Sequence, residues 1–193
     1  MTHIGHRDFL TERPSITTDR LLLRPFSIED AHEVQKLAGD SRVADTTHRI
    51  PHPYEDGMAE EWINSHETTF LDGTQVVFAI TLRATESVVG AIGLTVSSAE
   101  DEAELGYWVG VPFWNKGIAT EAATAVIDYG FSKLRLKKIS AWHLLRNPSS
   151  GRVMEKAGMR RDALSQRKIN KGGKEESLTS CLLLREDWAS QRV

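Results

Sequence analysis

Short runs in which apolar and polar residues alternate recur along the chain, and this alternation is typical of half-buried β-strands. In the run 102–111, Leu105 and Tyr107 fall on one face and Glu104 falls on the other. This run and other short apolar-rich runs predict strands over residues 16–26, 75–82, 87–96, 102–111, 137–145, 160–168 and 176–185. Residues 83–86 and 171–174 are short enough to form the turns of β-hairpins.

Helical spacing of apolar residues predicts four helices between these strands. They cover residues 31–38, 54–71, 117–134 and 149–157. Ser27 and Asp30 form a start signal for the first helix, and Gly158 is a suitable end for the last. The two prolines within residues 40–53 predict a loop there.

The order of these elements predicts one α+β domain. Three consecutive strands with short connections favour antiparallel pairing, whereas the later strand–helix–strand unit favours a parallel pair. We therefore expect a mixed, mostly antiparallel central β-sheet flanked by helices. No repeat or linker divides the chain, so residues 16–193 are predicted to form a single domain, preceded by a loose N-terminal arm over residues 1–15.

Composition narrows the class of protein. The 193 residues carry a formal net charge of −3 and one cysteine, Cys181, which excludes a disulfide framework and a cysteine zinc cluster. Cationic residues are dispersed, so no nucleic-acid surface is expected. No run approaches the ~20 apolar residues of a membrane helix, and residues 1–8 lack the apolar run of a signal peptide. These features predict a soluble, cytoplasmic protein.

The segment Trp114-Asn115-Lys116-Gly117-Ile118-Ala119 joins a predicted strand to a predicted helix. A helix N-terminus presents unpaired N–H groups and the positive end of the helix dipole, which together bind phosphate. Gly117 would let a ligand approach the backbone, Ala119 keeps the next turn open, and Lys116 adds a positive charge. By itself, this turn predicts either a phosphate site or an ordinary helix start.

Three further blocks surround this turn in the chain. They are Thr18-Asp19-Arg20-Leu21-Leu22-Leu23-Arg24-Pro25, Glu104-Leu105-Gly106-Tyr107-Trp108-Val109 and the segment from Asn147 to Met159. Together with the turn, these blocks resemble the GNAT superfamily, and specifically its RimJ/RimL-like branch of ribosomal-protein N-terminal acetyltransferases, over about residues 16–168. The resemblance implies the GNAT fold, acetyl-CoA as co-substrate and transfer of its acetyl group to an amine.

The resemblance also implies which residues hold acetyl-CoA. The diphosphate would lie on the turn and the pantetheine arm along the backbone of the preceding strand. Asn147 and Ser150 would meet the cofactor from the next helix, although each also fits an ordinary turn or cap residue. Trp114 stands where the family has a basic residue, so backbone N–H groups and Lys116 would carry the diphosphate. The predicted cofactor-binding residues are Trp108, Val109, Gly110, Val111, Asn115, Lys116, Gly117, Ile118, Ala119, Thr120, Asn147 and Ser150.

Acetyl transfer requires removal of a proton from the amine, stabilisation of an oxyanion and departure of the CoA thiolate. The resemblance makes Glu104 the base at the mouth of the acceptor cleft, with an edge-strand surface charge as the other interpretation. It suggests a backbone N–H within 108–110 for the oxyanion. The usual acid position holds Met154, which cannot donate a proton, so Ser150, water or an unassisted thiolate departure would replace it. Tyr107 is predicted to pack in the core.

The predicted acceptor is the N-terminal α-amine of a protein or peptide, with a small amine such as a polyamine, amino acid or drug as the alternative. A CoA-binding module without turnover is a third hypothesis, because of Met154 and Trp114. His48, His52 and Trp62 are expected on the acceptor side, and no metal is predicted. The oligomeric state is left open between a monomer and a homodimer.

Overall fold

The computed structural model describes residues 12–97 and 99–192, apart from the side chains of residues 163 and 164. Eight strands within these residues form one sheet. They are β1 (Ile16–Thr17), β2 (Leu21–Arg24), β3 (Gln75–Leu82), β4 (Val88–Ser97), β5 (Glu102–Val109), β6 (Lys138–Leu144), β7 (Arg160–Lys171) and β8 (Lys174–Leu184). Their order across the sheet is β1-β2-β3-β4-β5-β6-β8-β7.

Six α-helices accompany the sheet in the same residues. They are α1 (Ala31–Ala38), α2 (Ser41–Thr46), α3 (Met58–Leu71), α4 (Ile118–Ser132), α5 (Pro148–Lys156) and α6 (Arg185–Ser190). The predicted start signal of the first helix is present, because Ser27 N–H donates to the Asp30 carboxylate at 2.9 Å. No helix in the described residues is both long enough and apolar enough to cross a membrane.

The pairing directions confirm the predicted mixed, mostly antiparallel sheet. Neighbouring strands are antiparallel throughout except for β5 and β6, which run parallel. α4 lies between these two strands in the chain and forms the crossover that a parallel pair requires. β7 continues past its predicted end and β8 begins before its predicted start. The two strands meet at the predicted turn, where Lys171 pairs with Lys174.

Alternation along the strands divides the apolar side chains between two faces of the sheet. On the first face, the buried residues Phe78 and Leu105 belong to a cluster that includes Val126 of α4. On the second face, Ala91 belongs to a separate buried cluster that includes Val34 of α1. Helices therefore cover both faces, with α4 on the first and α1 and α3 on the second.

The strand predicted over 16–26 is two strands in the structure. Thr18 N–H donates to the Leu21 carbonyl at 2.9 Å, and the Thr18 hydroxyl accepts from Leu21 N–H at 3.0 Å, so the chain turns between them. This turn places β1 against β2 as an antiparallel partner. Residues 1–11 of the predicted N-terminal arm lie outside the described residues, so the arm and the domain boundary stay predictions.

Other boundaries differ where a single residue controls the local structure. The strand predicted over 102–111 ends at Val109, because Pro112 has no N–H for a ladder and belongs to a short 3₁₀ turn. The loop predicted over 40–53 contains α2, which the Asp40 carboxylate caps by accepting from a backbone N–H. α3 begins four residues later than predicted, and the sequence pattern did not indicate α6.

Candidate active site

Two parallel strands separate at the centre of the sheet. β5 and β6 pair from Glu102 opposite Lys138 as far as Leu105 opposite Ala141, and their pairing ends there. Both strands continue beyond that point, so residues 106–109 and 142–144 border a gap. β4 stays paired with β5 along this whole stretch, which leaves the gap on the β6 side alone.

One edge of β5 lacks a neighbouring strand at this gap. Alternate residues of a strand direct their backbone groups to the same neighbour, and Gly110 N–H donates to the Val89 carbonyl of β4. Even-numbered residues of β5 therefore face β4, whereas Tyr107 and Val109 direct their backbone groups into the gap. Among the residues predicted to bind pantetheine through their backbone, Val109 has this orientation and Trp108 does not.

The turn between β5 and α4 presents a concave row of N–H groups. Asn115 and Gly117 have positive φ angles of 61° and 76°, whereas Lys116 between them does not. This alternation turns successive N–H groups to one side and creates an anion-binding concavity. The first N–H bonded within α4 is that of Glu121, which donates to the Gly117 carbonyl, so the N–H groups of residues 118–120 precede the helical ladder. The exposed turn thus has the geometry of a phosphate site.

Trp114 anchors this turn to the end of β5. Its indole N–H donates to the Val109 carbonyl at 2.6 Å, and its ring packs against the hydrophobic core. The Lys116 ammonium lies 5.6 Å from the centre of the Phe113 ring. The departure from the family pattern at Trp114 therefore has a structural reason, because the indole N–H fastens the loop to the strand.

A guanidinium from a distant segment reaches the same turn. Arg20 Nη1 donates to the Lys116 carbonyl at 2.9 Å, and Arg20 Nη2 lies 3.3 Å from the position that a Cβ at Gly117 would take. Glu121 holds this arginine by accepting from its Nε at 2.6 Å and from its backbone N–H at 2.9 Å. Burial raises the pKa of Glu121, but hydrogen bonds from Thr18 and Arg20 outweigh it and lower the pKa, so the carboxylate stays ionised.

Asn147 and Ser150 begin α5 beyond the gap. Asn147 Oδ1 accepts from Ser150 N–H at 3.3 Å as a helix cap, and Asn147 Nδ2 donates to the Thr46 carbonyl at 3.1 Å. Both amide atoms of Asn147 thus have partners inside the protein. The observed contacts are those of a cap residue that also ties α2 to α5, and cofactor binding by Asn147 stays a prediction.

Ser150 forms a pair of hydroxyl groups with Tyr107. Its Oγ lies 2.7 Å from Tyr107 Oη, and the phenol also donates to the Ser150 carbonyl at 3.0 Å. Burial raises the pKa of Tyr107, so the phenol keeps its proton at neutral pH. The ring of Tyr107 packs against the core as predicted, but its hydroxyl group belongs to the site.

A cavity of about 580 Å³ lies on the second face of the sheet, against α1 and α3. Its wall includes Met58 and Trp62 of α3 and Trp108 of β5. The same cavity reaches Ser150 and Met154 of α5, so it is continuous with the gap between β5 and β6.

The wall of this cavity contains two of the three residues predicted on the acceptor side. His48 and Trp62 line it, whereas His52 is not among its lining residues. Gly106 lies in its floor, and a Cβ at Gly106 would meet no atom within 4 Å, so the floor is open there. Across residues 12–97 and 99–192, no three His, Cys, Asp or Glu side chains are grouped as a metal site requires.

Glu104 lies in the cavity wall between two guanidinium groups. Its side chain points to the opposite face from Leu105, as the alternation predicts. Arg49 Nη2 donates to Glu104 Oε1 at 2.9 Å, and Arg167 Nη2 lies 3.9 Å from Glu104 Oε2. Arg49 therefore occupies one oxygen of this carboxylate, and Oε2 has no hydrogen bond from either guanidinium group.

Comparison with known proteins decides the family to which this site belongs. A model of the acetyltransferase (GNAT) domain matches residues 20–160. The chain belongs to the GNAT family. It is 32% identical over 173 residues to the uncharacterised N-acetyltransferase YnaD of Bacillus subtilis (strain 168), which covers 90% of this chain and 98% of YnaD.

Solved GNAT structures show the same fold. The structure of a GNAT-family acetyltransferase from Bacillus anthracis superposes with a TM-score of 0.76 at 29% identity, over 90% of this chain and 99% of that one. The microcin C7 self-immunity acetyltransferase MccE, solved with acetyl-CoA and AMP, superposes with a TM-score of 0.77 at 18% identity, over 86% and 93%. This GNAT protein is thus an N-acetyltransferase with acetyl-CoA as its co-substrate.

The sequence did not indicate three candidate functional residues of this GNAT site. Arg20 lies in a block that carries the family resemblance, but nothing in the sequence shows that it meets a turn about a hundred residues later. Arg49 and Arg167 lie in a predicted loop and a predicted strand without a pattern that singles them out. The alternation in β7 could indicate which face Arg167 occupies, but not its proximity to Glu104.

Proposed function

We propose that the chain holds acetyl-CoA across the gap between β5 and β6 and transfers its acetyl group to a primary amine in the cavity beside α1 and α3. The continuity of this cavity carries the proposal. Glu104 and Trp62 line it on one side and Ser150 and Met154 on the other, so a thioester in the gap and an amine beside Glu104 would share one space.

The diphosphate is proposed to lie on the backbone N–H groups of residues 115–120. Lys116 lies over Phe113, and Trp114 is not basic, so the turn itself supplies little directed charge. Arg20 provides a guanidinium beside Gly117 and is fixed there by its own bonds. We therefore assign to Arg20 the electrostatic role that a basic residue of the turn has in the family pattern.

The pantetheine arm is proposed to run along the open edge of β5, with Asn147 and Ser150 on its other side. Tyr107 and Val109 direct their backbone groups into this gap. The Val109 carbonyl already accepts from Trp114, which leaves the Val109 N–H as the donor of that residue. Within 108–110 it is this N–H that faces the gap, so it is the proposed contact for the thioester oxyanion.

Glu104 is proposed to act as the base. It lies in the wall of the cavity where an amine would meet the thioester, and its side chain is 24% exposed, so water or substrate reaches it. Arg49 occupies one carboxylate oxygen in the free protein. An incoming ammonium group would take the place of Arg49 at Glu104 and then lose its proton to this carboxylate before attack.

Ser150 is proposed to stabilise the departing thiolate by a hydrogen bond rather than by proton transfer. A thiol has a pKa near 8.5, so a thiolate is a weak base at neutral pH. Because burial raises the pKa of Tyr107, transfer of the phenol proton through Ser150 to the thiolate is unfavourable. A hydrogen bond from the Ser150 hydroxyl to the thiolate is therefore sufficient. No other acid is required, although position 154 holds methionine rather than tyrosine.

The acceptor is proposed to be an α-amine. The N-terminus of a protein carries one, and it is the acceptor that the RimJ/RimL-like resemblance predicts. A free amino acid carries one as well, and the charged side chains of the cavity favour this second class, as argued below. The cytoplasmic location, the RimJ/RimL-like branch and a possible homodimer stay predictions of the sequence.

Release of CoA thiol from acetyl-CoA in the presence of peptides and small amines tests the proposal. We expect Glu104→Gln to lower kcat about 100-fold while the KM for acetyl-CoA is unchanged. Glu102→Gln is the matched control, because Glu102 lies on the same strand and pairs with Lys138. Equal activity of the two variants would remove Glu104 from the base role, and CoA binding without thiol release for any acceptor would indicate a module without turnover.

A further inference from the structure

Cationic side chains outnumber carboxylates around Glu104. Arg49 and Arg167 flank its two oxygen atoms. Lys171 is not a third partner, because its ammonium group donates to the Ala44 carbonyl at 2.7 Å and its charged neighbours are Arg146, Asp45 and Glu176. Glu104 is thus one carboxylate between two guanidinium groups.

Two other carboxylates share one guanidinium group with each other rather than with Glu104. Asp45 and Glu176 each accept from Arg146 at 2.9 Å. Burial first and Arg49 second lower the pKa of His48, whereas Glu104 raises it. Neutral His48 accepts from Arg49 Nε at 3.1 Å through its Nε2. Beside the proposed base, two guanidinium groups therefore face one carboxylate.

Arg167 lies over Trp142 and makes no close contact with a carboxylate. Its guanidinium lies 4.3 Å from the centre of the Trp142 ring, which fixes the plane of the group. Its Nη2 is 3.9 Å from Glu104, beyond hydrogen-bond distance, and its Nε is buried without a hydrogen-bond partner among the described residues. Arg49 is 59% exposed, so its contact with Glu104 can be exchanged.

We propose that the acceptor is a zwitterionic amine, an α-amino acid with an apolar side chain, whose carboxylate binds Arg49 and Arg167 while its amine binds Glu104. This inference rests on the proposed function and adds the substrate class. Arg49 changes its partner from Glu104 to the substrate carboxylate, and the substrate ammonium group takes the place of Arg49 at Glu104. The substrate thus brings a second carboxylate to two guanidinium groups that share one in the free protein.

The remaining wall of the cavity determines what kind of side chain fits. Tyr54, Met58, Trp62 and Trp108 line it, and all four present apolar surface. A polyamine would place several positive charges beside Arg49 and Arg167, with one carboxylate to share. The N-terminus of a protein has a neutral amide where an amino acid has its carboxylate, so it would displace Arg49 from Glu104 without supplying another anion to Arg49.

Matched acceptors test the substrate class in the full-length protein. We expect thiol release with L-leucine, L-methionine or L-phenylalanine to exceed that with the corresponding amide about 10- to 100-fold in kcat/KM. The amide is intrinsically the easier acceptor, because its ammonium group loses a proton at lower pH, so preference for the acid reports recognition. A leucine-initiated peptide and spermidine are the further comparisons, and both should react as weakly as the amide.

Two variants test the assigned arginines. Arg49→Gln and Arg167→Gln should each bring the ratio of acid to amide close to one while the KM for acetyl-CoA is unchanged. Arg49→Lys should restore part of the ratio. Arg42→Gln is the control, because Arg42 lies on the neighbouring α2 and pairs with Asp40 rather than with the cavity. Circular dichroism and CoA affinity show whether each variant is folded.

The outcomes separate this inference from the proposed function. Thiol release with peptides or amides at least as fast as with free amino acids would refute the substrate class and leave acetyl transfer intact. An unchanged acid-to-amide ratio in both arginine variants would refute the assigned residues. Calorimetric titration of leucine and leucinamide into the CoA complex adds a readout without turnover, and equal affinities there would also overturn the inference.

Discussion

His66 is a buried histidine without a hydrogen-bond partner, and it should make the stability of the protein depend on pH. It lies on α3 with 2% of its surface exposed, and neither ring nitrogen has a partner among the described residues. Its ring contacts those of Phe26 and Trp62, with centroid distances of 5.6 and 4.5 Å. Burial, with a smaller contribution from Arg13, lowers the pKa of His66 from 6.5 to about 4.

These two pKa values set the direction and size of the effect. The unfolded chain binds a proton at His66 below pH 6.5, whereas the folded protein does so only near pH 4, so the free energy of unfolding decreases as the pH falls through this window. The decrease attributable to His66 is about 2 kcal/mol between pH 7.5 and pH 5 and approaches about 3 kcal/mol at pH 4. Well below pH 4 both states are protonated and the contribution is constant.

Urea unfolding of wild type and His66→Leu at pH 7.5 and pH 5 measures this contribution. Changes in packing shift the variant by the same amount at both pH values, and the titration of other groups is common to both proteins. We expect the variant to lose about 2 kcal/mol less than wild type, or about 4–8 °C less in Tm. Asn64→Ala, on the exposed face of the same helix, should keep the wild-type dependence. The same pH dependence in wild type and His66→Leu would refute the reasoning.

Three other predictions concern the site. Gly117→Glu should abolish CoA binding measured by calorimetry, because it places a carboxylate in the diphosphate site. Gly57→Glu, which introduces a similar positive-φ strain elsewhere, should bind CoA normally, and equal affinities of the two variants would mean that the phosphate turn is misassigned. Gly106→Leu should raise the KM for the acceptor at least about 10-fold by filling the open floor of the cavity, while the KM for acetyl-CoA is unchanged. An unchanged KM for the acceptor would mean that the amine binds elsewhere. Ser150→Ala should lower kcat about 10-fold, and Tyr107→Phe should lower it less, because the Ser150 hydroxyl remains. If Tyr107→Phe had the lower kcat, the phenol rather than the serine would stabilise the departing thiolate.

The fold was largely predictable because its long elements carry their own pattern of apolar residues. β3, β4 and β5 each extend over eight or more residues. β3 and β4 are nearly continuous apolar runs because helices cover both faces of the sheet there, whereas the first half of β5 alternates. α2 and the turn at Thr18 have no such pattern, because each depends on one or two side-chain hydrogen bonds. Tertiary packing and local caps, rather than pattern, determine such short segments.

The cofactor side of the site was more predictable than the acceptor side for a related reason. The phosphate turn is contiguous in sequence, so Gly117 and its neighbours indicate it directly. The groups around Glu104 come from the loop before α3 and from β7, and a periodicity within one segment carries no information about such contacts. Even at the turn, the nearest guanidinium beside Gly117 comes from Arg20, which is distant along the chain.

The two arginine–glutamate pairs of the site differ in how firmly the protein holds them. Arg20 bonds to Glu121 through both Nε and its backbone N–H and to the Lys116 carbonyl through Nη1, so a ligand at the turn finds the charge already in place. Arg49 bonds to Glu104 through one nitrogen atom. A ligand can replace that single contact at small cost, because exposed ion pairs contribute little stability. We therefore expect the cofactor to bind a preformed site, while the acceptor binds by exchanging partners with the protein.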